Sequence, residues 1–234
     1  MARVYEGTDI GRVRRTNEDC GAILNKTTYV VADGMGGHAA GEVASHTLVE
    51  KIRQVLHGEE PMDVERLKEA ILQGNRAILD KVREFPEYRG MGTTATVFHW
   101  EEGRGIWAHV GDSRIYLFRE GRLRQMTRDH SYVEELVESG TITEMEARHH
   151  PRKNVLTRAV GVARDVKVDT GSFDVGKGDK VLLCTDGLTN MVSDEEIRDV
   201  LRADVENPVA LLIGKALAAG GKDNITAIVA VYDE

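Results

Sequence analysis

Thr93-Thr94-Ala95-Thr96-Val97-Phe98-His99-Trp100-Glu101-Glu102-Gly103-Arg104-Gly105-Ile106-Trp107-Ala108-His109-Val110-Gly111-Asp112-Ser113-Arg114-Ile115-Tyr116-Leu117-Phe118-Arg119-Glu120-Gly121-Arg122-Leu123-Arg124-Gln125-Met126 holds four apolar runs joined by links of a few residues. The runs are rich in β-branched and aromatic residues and are punctuated by glycine. They read as strands at Thr93–His99, Gly105–Val110, Ile115–Phe118 and Leu123–Met126. A parallel crossover needs a dozen or more residues, so links this short call for antiparallel pairing.

Outward from this block, further strands are expected at Arg3–Thr8, Thr28–Ala32, Lys167–Phe173, Lys180–Cys184 and Ile225–Val231, with another starting near Cys20. Helical periodicity runs from about Gly41 to Leu56, with Val43, Leu48, Ile52 and Val55 on one face. It returns from Asp63 to about Phe85, with Leu67, Ile71, Ile78 and Val82 aligned. Ser193 precedes Asp194, Glu195 and Glu196, the signature of a capped helix start, and Pro208 can open a last helix through about Leu217. Helices come in consecutive pairs instead of singly between strands, which disfavours a doubly wound parallel sheet. The pattern predicts an α+β layered sandwich, antiparallel sheet covered by helix pairs. No linker or repeat divides residues 1–234, so one domain is expected, with a polar, partly helical insertion at about 129–161.

Composition narrows the function. The hydrophobic fraction is 41%, and no apolar run approaches the ~20 residues of a membrane span. The N-terminus lacks the apolar stretch of a secretory signal, so a cytoplasmic protein is expected, with no membrane partner. A net charge of −8 without a basic block argues against nucleic acid. Cys20 and Cys184 read as buried reduced thiols; neither stands in a Cys-x5-Arg setting, so a cysteine nucleophile is unsupported.

The chemistry lies in a repeated phrase, an apolar strand ending in aspartate and a small residue. It occurs at Ala32-Asp33-Gly34, Val110-Gly111-Asp112-Ser113 and Cys184-Thr185-Asp186-Gly187, and in reverse at Asp223-Asn224 before Ile225. Asp-Gly is also an ordinary turn dipeptide, but four such aspartates on rigid strand ends make shared cation binding the stronger reading. Converging carboxylates repel unless cations lie between them, and oxygen ligands suit magnesium or manganese better than zinc. Glu18 and Asp19 add two carboxylates, with Arg12, Arg14 and Arg15 beside them as candidate phosphate forks or, on composition alone, solvated surface arginines. The run Gly34-Met35-Gly36-Gly37-His38-Ala39-Ala40-Gly41 matches no nucleotide fingerprint and reads as a turn from strand into helix.

Taken in order, Gly11-x2-Arg14-x2-Asn17-Glu18-Asp19, Val31-Ala32-Asp33-Gly34-Met35-Gly36-Gly37-His38, Gly92-Thr93-Thr94, Gly111-Asp112-Ser113-Arg114, Thr185-Asp186-Gly187-Leu188 and Asp223-Asn224-Ile225-Thr226 resemble the motif set of the PPM family. These are metal-dependent serine/threonine protein phosphatases of type 2C, here in the compact bacterial form. The resemblance implies a four-layer α-β-β-α sandwich, two antiparallel sheets flanked by helix pairs. It implies two manganese or magnesium ions and a third, weaker one. Asp33 would bridge the first two, the Gly34 carbonyl would bind the first, and Asp186 and Asp223 would complete the second; Asp112 with Asp186 matches the third. Glu18 would orient water, Arg14 would hold the substrate phosphate, and 129–161 would be a flap near the cleft.

The implied reaction is hydrolysis of phosphoserine and phosphothreonine by direct attack of water held between the cations. Substrates would be phosphorylated proteins, an autophosphorylated serine/threonine kinase among them, and the enzyme a monomer. Animal members carry a histidine where this sequence has Met35; His38 lies three residues on, and either it or metal-bound water would protonate the leaving group. From the aspartates alone, a metal phosphoesterase for nucleotides or small metabolites, or a non-catalytic module of the same fold, stays open.

Overall fold

The computed structural model describes residues 2–37, 40–58, 60–203 and 205–233. The chain opens with strands β1 (Ala2–Asp9), β2 (Asp19–Asn25) and β3 (Thr28–Met35), then the helix pair α1 (Ala40–Leu56) and α2 (Val64–Glu84). Five strands follow: β4 (Gly92–Thr93), β5 (Ala95–Glu101), β6 (Arg104–Val110), β7 (Arg114–Arg119) and β8 (Arg122–Gln125). Two short helices, α3 (Tyr132–Glu138) and α4 (Glu144–His149), occupy the 129–161 segment. Then come β9 (Asp169–Asp174), β10 (Lys180–Cys184), the single turn α5 (Asp186–Thr189), α6 (Asp194–Arg202), α7 (Pro208–Ala218) and β11 (Ile225–Tyr232).

Two sheets form, in the orders β1-β11-β10-β7-β8 and β2-β3-β5-β6-β9, with β4 on β3. Every pairing is antiparallel. The 93–126 block departs from its expected reading most clearly in its pairing. The hairpins β5–β6 and β7–β8 pair internally, but β6 and β7 belong to different sheets. Gly111, at φ +113°, takes the chain across the gap, which is why Asp112 lies at the seam between the sheets.

Three apolar layers follow from strand alternation, since successive side chains point to opposite faces. Val30, Ala32 and Val97 face α1 and α2, meeting Leu48, Ile52, Leu67 and Ile71. Tyr29, Val31 and Phe98 point the other way, into the space between sheets, against Ile115, Leu117, Leu183 and Ile228. Beyond it, Tyr116, Leu182 and Val229 pack on Ile197, Leu201 and Leu212 of α6 and α7. Covered on both faces, β11 is buried along its whole length, so its sequence is continuously apolar. The helices begin as their caps dictate: Asp63 accepts from Arg66 N–H, Ser193 and Glu196 form a capping box, and Asn207 caps the helix that Pro208 opens.

Several strand limits moved by one to three residues. The expected run from Thr93 breaks at Thr94, whose N–H donates to Asp33 O (2.9 Å) and whose Oγ1 accepts from Asp33 N–H (2.8 Å). Because β4 pairs with Gly34 and Met35, β3 continues past Ala32, and Asp33 stands inside a strand, not at its end. The strand expected from Lys167 starts at Asp169, where its ladder with His109 begins. Cys184 is buried and reduced as expected, whereas Cys20 is half-exposed, its Sγ 3.7 Å from His46 Nδ1.

Candidate metal centre

Asp33 is fixed from its backbone outward. Besides the two Thr94 bonds, Thr93 Oγ1 donates to Asp33 O at 2.9 Å, and Thr94 Oγ1 lies 2.8 Å from Ser113 Oγ, one residue beyond Asp112. Two aspartate-bearing segments are thus tied together through Thr94. Across the β2–β3 ladder, Asp19 stands directly opposite Asp33.

Glu18 is held with similar strictness. Its carbonyl accepts from Gly34 N–H (3.1 Å) and Ser45 Oγ (2.6 Å), and its N–H donates to Asn224 Oδ1 (2.8 Å). Asn224 Nδ2 in turn donates to the carbonyls of Ile10 and Thr16 at 3.0 Å each, so one side chain gathers the 10–18 connection beside Asp223. Gly34 admits no side chain: a Cβ there would lie 2.1 Å from Gly41 O and 2.5 Å from Glu18 O. A Cβ on Gly187 would lie 1.8 Å from Asn224 O, so glycine lets the Asp186 turn rest against the Asp223 loop. Asp186 begins α5 instead of ending the strand before it, and Asn190 Nδ2 donates to its Oδ2 at 2.8 Å.

All seven residues singled out in the sequence, Arg14, Glu18, Asp33, Gly34, Asp112, Asp186 and Asp223, line one cleft of about 400 Å³. Thr94, Met35 and the 129–161 residues Asn154, Leu156, Thr157, Arg158 and Ala159 complete its walls. A larger groove of about 720 Å³ on α2 lacks any such gathering of carboxylates. Asp33 is pushed well above the ordinary carboxylate range by burial and then by the charges of Asp19, Asp186, Asp112 and Asp223. Asp112 is raised by burial and Asp186, and Asp186 by burial and Asp223, the latter partly offset by a hydrogen bond with Asp33. Burial likewise raises Glu18, and lifts Asp19 to about 7.

Such crowding is what a cation relieves. The donor set is all oxygen, the pattern of hard divalent ions, and buried Asp19 Oδ1 has no hydrogen-bond partner. The residues therefore fit manganese or magnesium. Among the described residues, no group of three or more histidine, cysteine or acidic side chains stands as a ready-made cage for an ion. Arg14 Nη2 takes one oxygen of Asp223 and Asn190 takes one of Asp186, so these two carboxylates are engaged with neighbours as they stand.

Asn224, Ser45 and Thr94 escaped assignment in the sequence. Asn224 and Thr94 sat inside quoted motifs without roles, and Thr94 looked like any β-branched strand residue. Asn224 stands beside Asp223 and Thr94 beside the strand that pairs with Gly34, whereas Ser45 carries no such signal. His38 lies outside the described residues, and among the described residues no histidine lines the cleft.

The profile of the protein phosphatase 2C family matches residues 16–213. The serine/threonine phosphatase stp of Listeria monocytogenes is 40% identical over 240 residues, covering 97% of this chain and 94% of that protein. The crystal structure of the Mycobacterium tuberculosis serine/threonine phosphatase PstP/Ppp has a TM-score of 0.94 at 39% identity, covering 100% and 99% of the two chains. The catalytic domain of PstP in complex with two manganese ions gives 0.92 at 38% identity, again covering 100% and 99%. Sequence and fold agree over essentially the whole length, and the chain belongs to the protein phosphatase 2C family.

Proposed function

We propose that this protein phosphatase 2C hydrolyses phosphoserine and phosphothreonine esters in proteins, using water as nucleophile at two manganese or magnesium ions and a third, weaker one. The observation that carries the reading is the meeting of five acidic side chains and Arg14 around one cleft, with carboxylates raising one another's pKa. Asp33 would hold the first two ions jointly, with the Gly34 carbonyl on the first and Asp186 and Asp223 on the second. Asp112 and Asp186 would hold the third. When bound, the ions supply positive charge to phosphoryl oxygens and lower the pKa of water.

The chain's own groups do the rest. Arg14 spends one nitrogen on Asp223 and is half-exposed, so its remaining donors face the phosphate dianion. Glu18, fixed by three backbone bonds, presents an acceptor that orients the attacking water. Met35 has no proton to give, so the leaving serine or threonine oxygen would take its proton from His38 or from water in the cleft. The chain acts as one catalytic unit, with residues 129–161 as a flap that chooses substrates, since that segment supplies one wall of the cleft.

The same reading makes the enzyme a monomer acting in cytoplasmic signalling, with an autophosphorylated serine/threonine kinase among its substrates. A net charge of −8, and the lack among the described residues of any helix long and apolar enough to cross a membrane, are in keeping with it. Phosphate release from a phosphothreonine peptide, compared with release from nucleotides, tests the assignment. Manganese-dependent turnover of the peptide supports it; turnover of nucleotides alone would overturn it.

A further inference from the structure

His130 is buried, contributes nothing to the cleft wall, and yet bonds through every polar atom it has. Its Nδ1 accepts from Gly111 N–H at 3.0 Å, while its own backbone N–H donates to Gly111 O at 2.7 Å. A backbone amide can only donate, so Nδ1 is bare and the ring hydrogen is on Nε2. Nε2 then donates to Asp169 Oδ2 at 3.0 Å, and Arg158 Nη1 donates to Asp169 Oδ1 at 2.8 Å. The 3.2 Å approach of Arg158 Nη1 to Nε2 is accordingly a contact of two donors that share one carboxylate. Burial lowers the pKa of His130, which favours this neutral tautomer.

Three otherwise separate parts meet at this ring. Gly111 precedes Asp112 at the crossing between sheets. The stems of the 129–161 segment are stitched beside it, Thr157 N–H donating to His130 O (2.8 Å) and Tyr132 N–H to Val155 O (2.8 Å). Arg158, next to Thr157 of the second stem, lines the same cleft as Asp112, and Asp169 opens β9.

We propose that His130 is a positioning residue that registers Asp112 against Arg158, holding the Asp112 turn through Nδ1 and, through Nε2, the Asp169 carboxylate that binds Arg158. The proposal rests on the phosphatase reading of the cleft. It predicts two separable defects, because the two nitrogens have different clients. Asparagine offers an acceptor near the Nδ1 position and nothing at Nε2; glutamine offers an amide near Nε2 and nothing at Nδ1.

His130→Asn should keep the Asp112 turn and loosen the Asp169 carboxylate that positions Arg158. Its KM for a phosphothreonine peptide rises about tenfold, as for loss of an oriented charged donor, while the manganese concentration for half-maximal activity stays near wild type. His130→Gln should do the converse, raising the manganese requirement about tenfold or more, as loss of outer-shell support does, with little change in KM. Asp169→Asn, which removes the charge that holds both donors, should copy His130→Asn and guards against a histidine variant that fails to fold. Hydrogen exchange at the Gly111 amide, read without metal, gives the answer independently of activity: protected in wild type, His130→Asn and Asp169→Asn, faster in His130→Gln. Equal loss of kcat in all variants with neither midpoint shifted, or equal Gly111 exchange throughout, overturns the proposal. An inactive wild type would instead overturn the phosphatase reading, and the exchange result would still decide the role of His130.

Discussion

Arg14 and Asp223 are 209 positions apart in the chain, and Arg14 Nη2 lies 2.8 Å from Asp223 Oδ2. The pair joins the segment after β1 to the loop before β11 and puts one cation among the cleft carboxylates. Both partners are partly exposed, so the pair adds little to stability. Its value is placement of the guanidinium fork.

Arg14→Ala should therefore raise KM for a phosphothreonine peptide about tenfold to a hundredfold, the scale of a charge-assisted hydrogen bond to phosphate. Arg14→Lys should recover only part, because an ammonium cannot serve Asp223 and phosphate in the same planar geometry. Steady-state kinetics at saturating manganese, with an unchanged melting temperature, would bear this out.

Without metal, the acidic cluster makes stability fall as pH rises. Asp33, Asp112 and Asp186 are raised above the ordinary carboxylate range, and Asp19 is pushed up to about 7. Between about pH 4 and about pH 7 the folded protein thus binds more protons at these groups than the unfolded chain, and their contribution declines through that window. In chelator, Asp33→Asn should melt above wild type, by about 2–4 °C for each kcal/mol of repulsion relieved. The margin should widen from pH about 4 to about 7, and thermal melts across that range read it.

Gly187→Ala should damage the site from beneath. A Cβ 1.8 Å from Asn224 O cannot be accommodated unless the Asp186 turn and the Asp223 loop part. Overpacking of this kind costs about 1–3 kcal/mol or more, and the separation should weaken manganese binding as well. Calorimetric titration of manganese, beside a thermal melt, checks both effects.

Asn224→Ala should lower both stability and rate without touching a carboxylate. It leaves Glu18 N–H and the carbonyls of Ile10 and Thr16 without their partner. The buried Glu18 N–H left unpaired costs about 1–3 kcal/mol, and the part-buried carbonyls of Ile10 and Thr16 cost less. A fall in kcat larger than the rise in KM would place the effect on Glu18.

Much of this was legible in the sequence because apolar runs and aspartates obey simple rules. Apolar runs rich in β-branched and aromatic residues, with short links between them, marked the strands, and Leu48, Ile52, Leu67 and Ile71 marked the helix faces that now pack on β3 and β5. The recurring strand-aspartate phrase led to Asp33, Asp112, Asp186 and Asp223, which share one cleft. What stayed hidden depends on contacts between distant segments. Nothing local shows that Gly111 carries the chain from one sheet to the other. Thr94 breaks its strand only because Asp33 lies alongside it, and Asn224 reads as a turn residue until Glu18, Ile10 and Thr16 come to meet it.

Phosphate released from a phosphothreonine peptide by chelator-treated protein, followed as manganese is titrated back, tests the central claim most directly. Wild type should be silent in chelator and recover with added manganese, while Asp33→Asn, folded by its melting curve, should stay silent at every concentration. Undiminished release in chelator, or full recovery by Asp33→Asn, would contradict a centre built from these carboxylates.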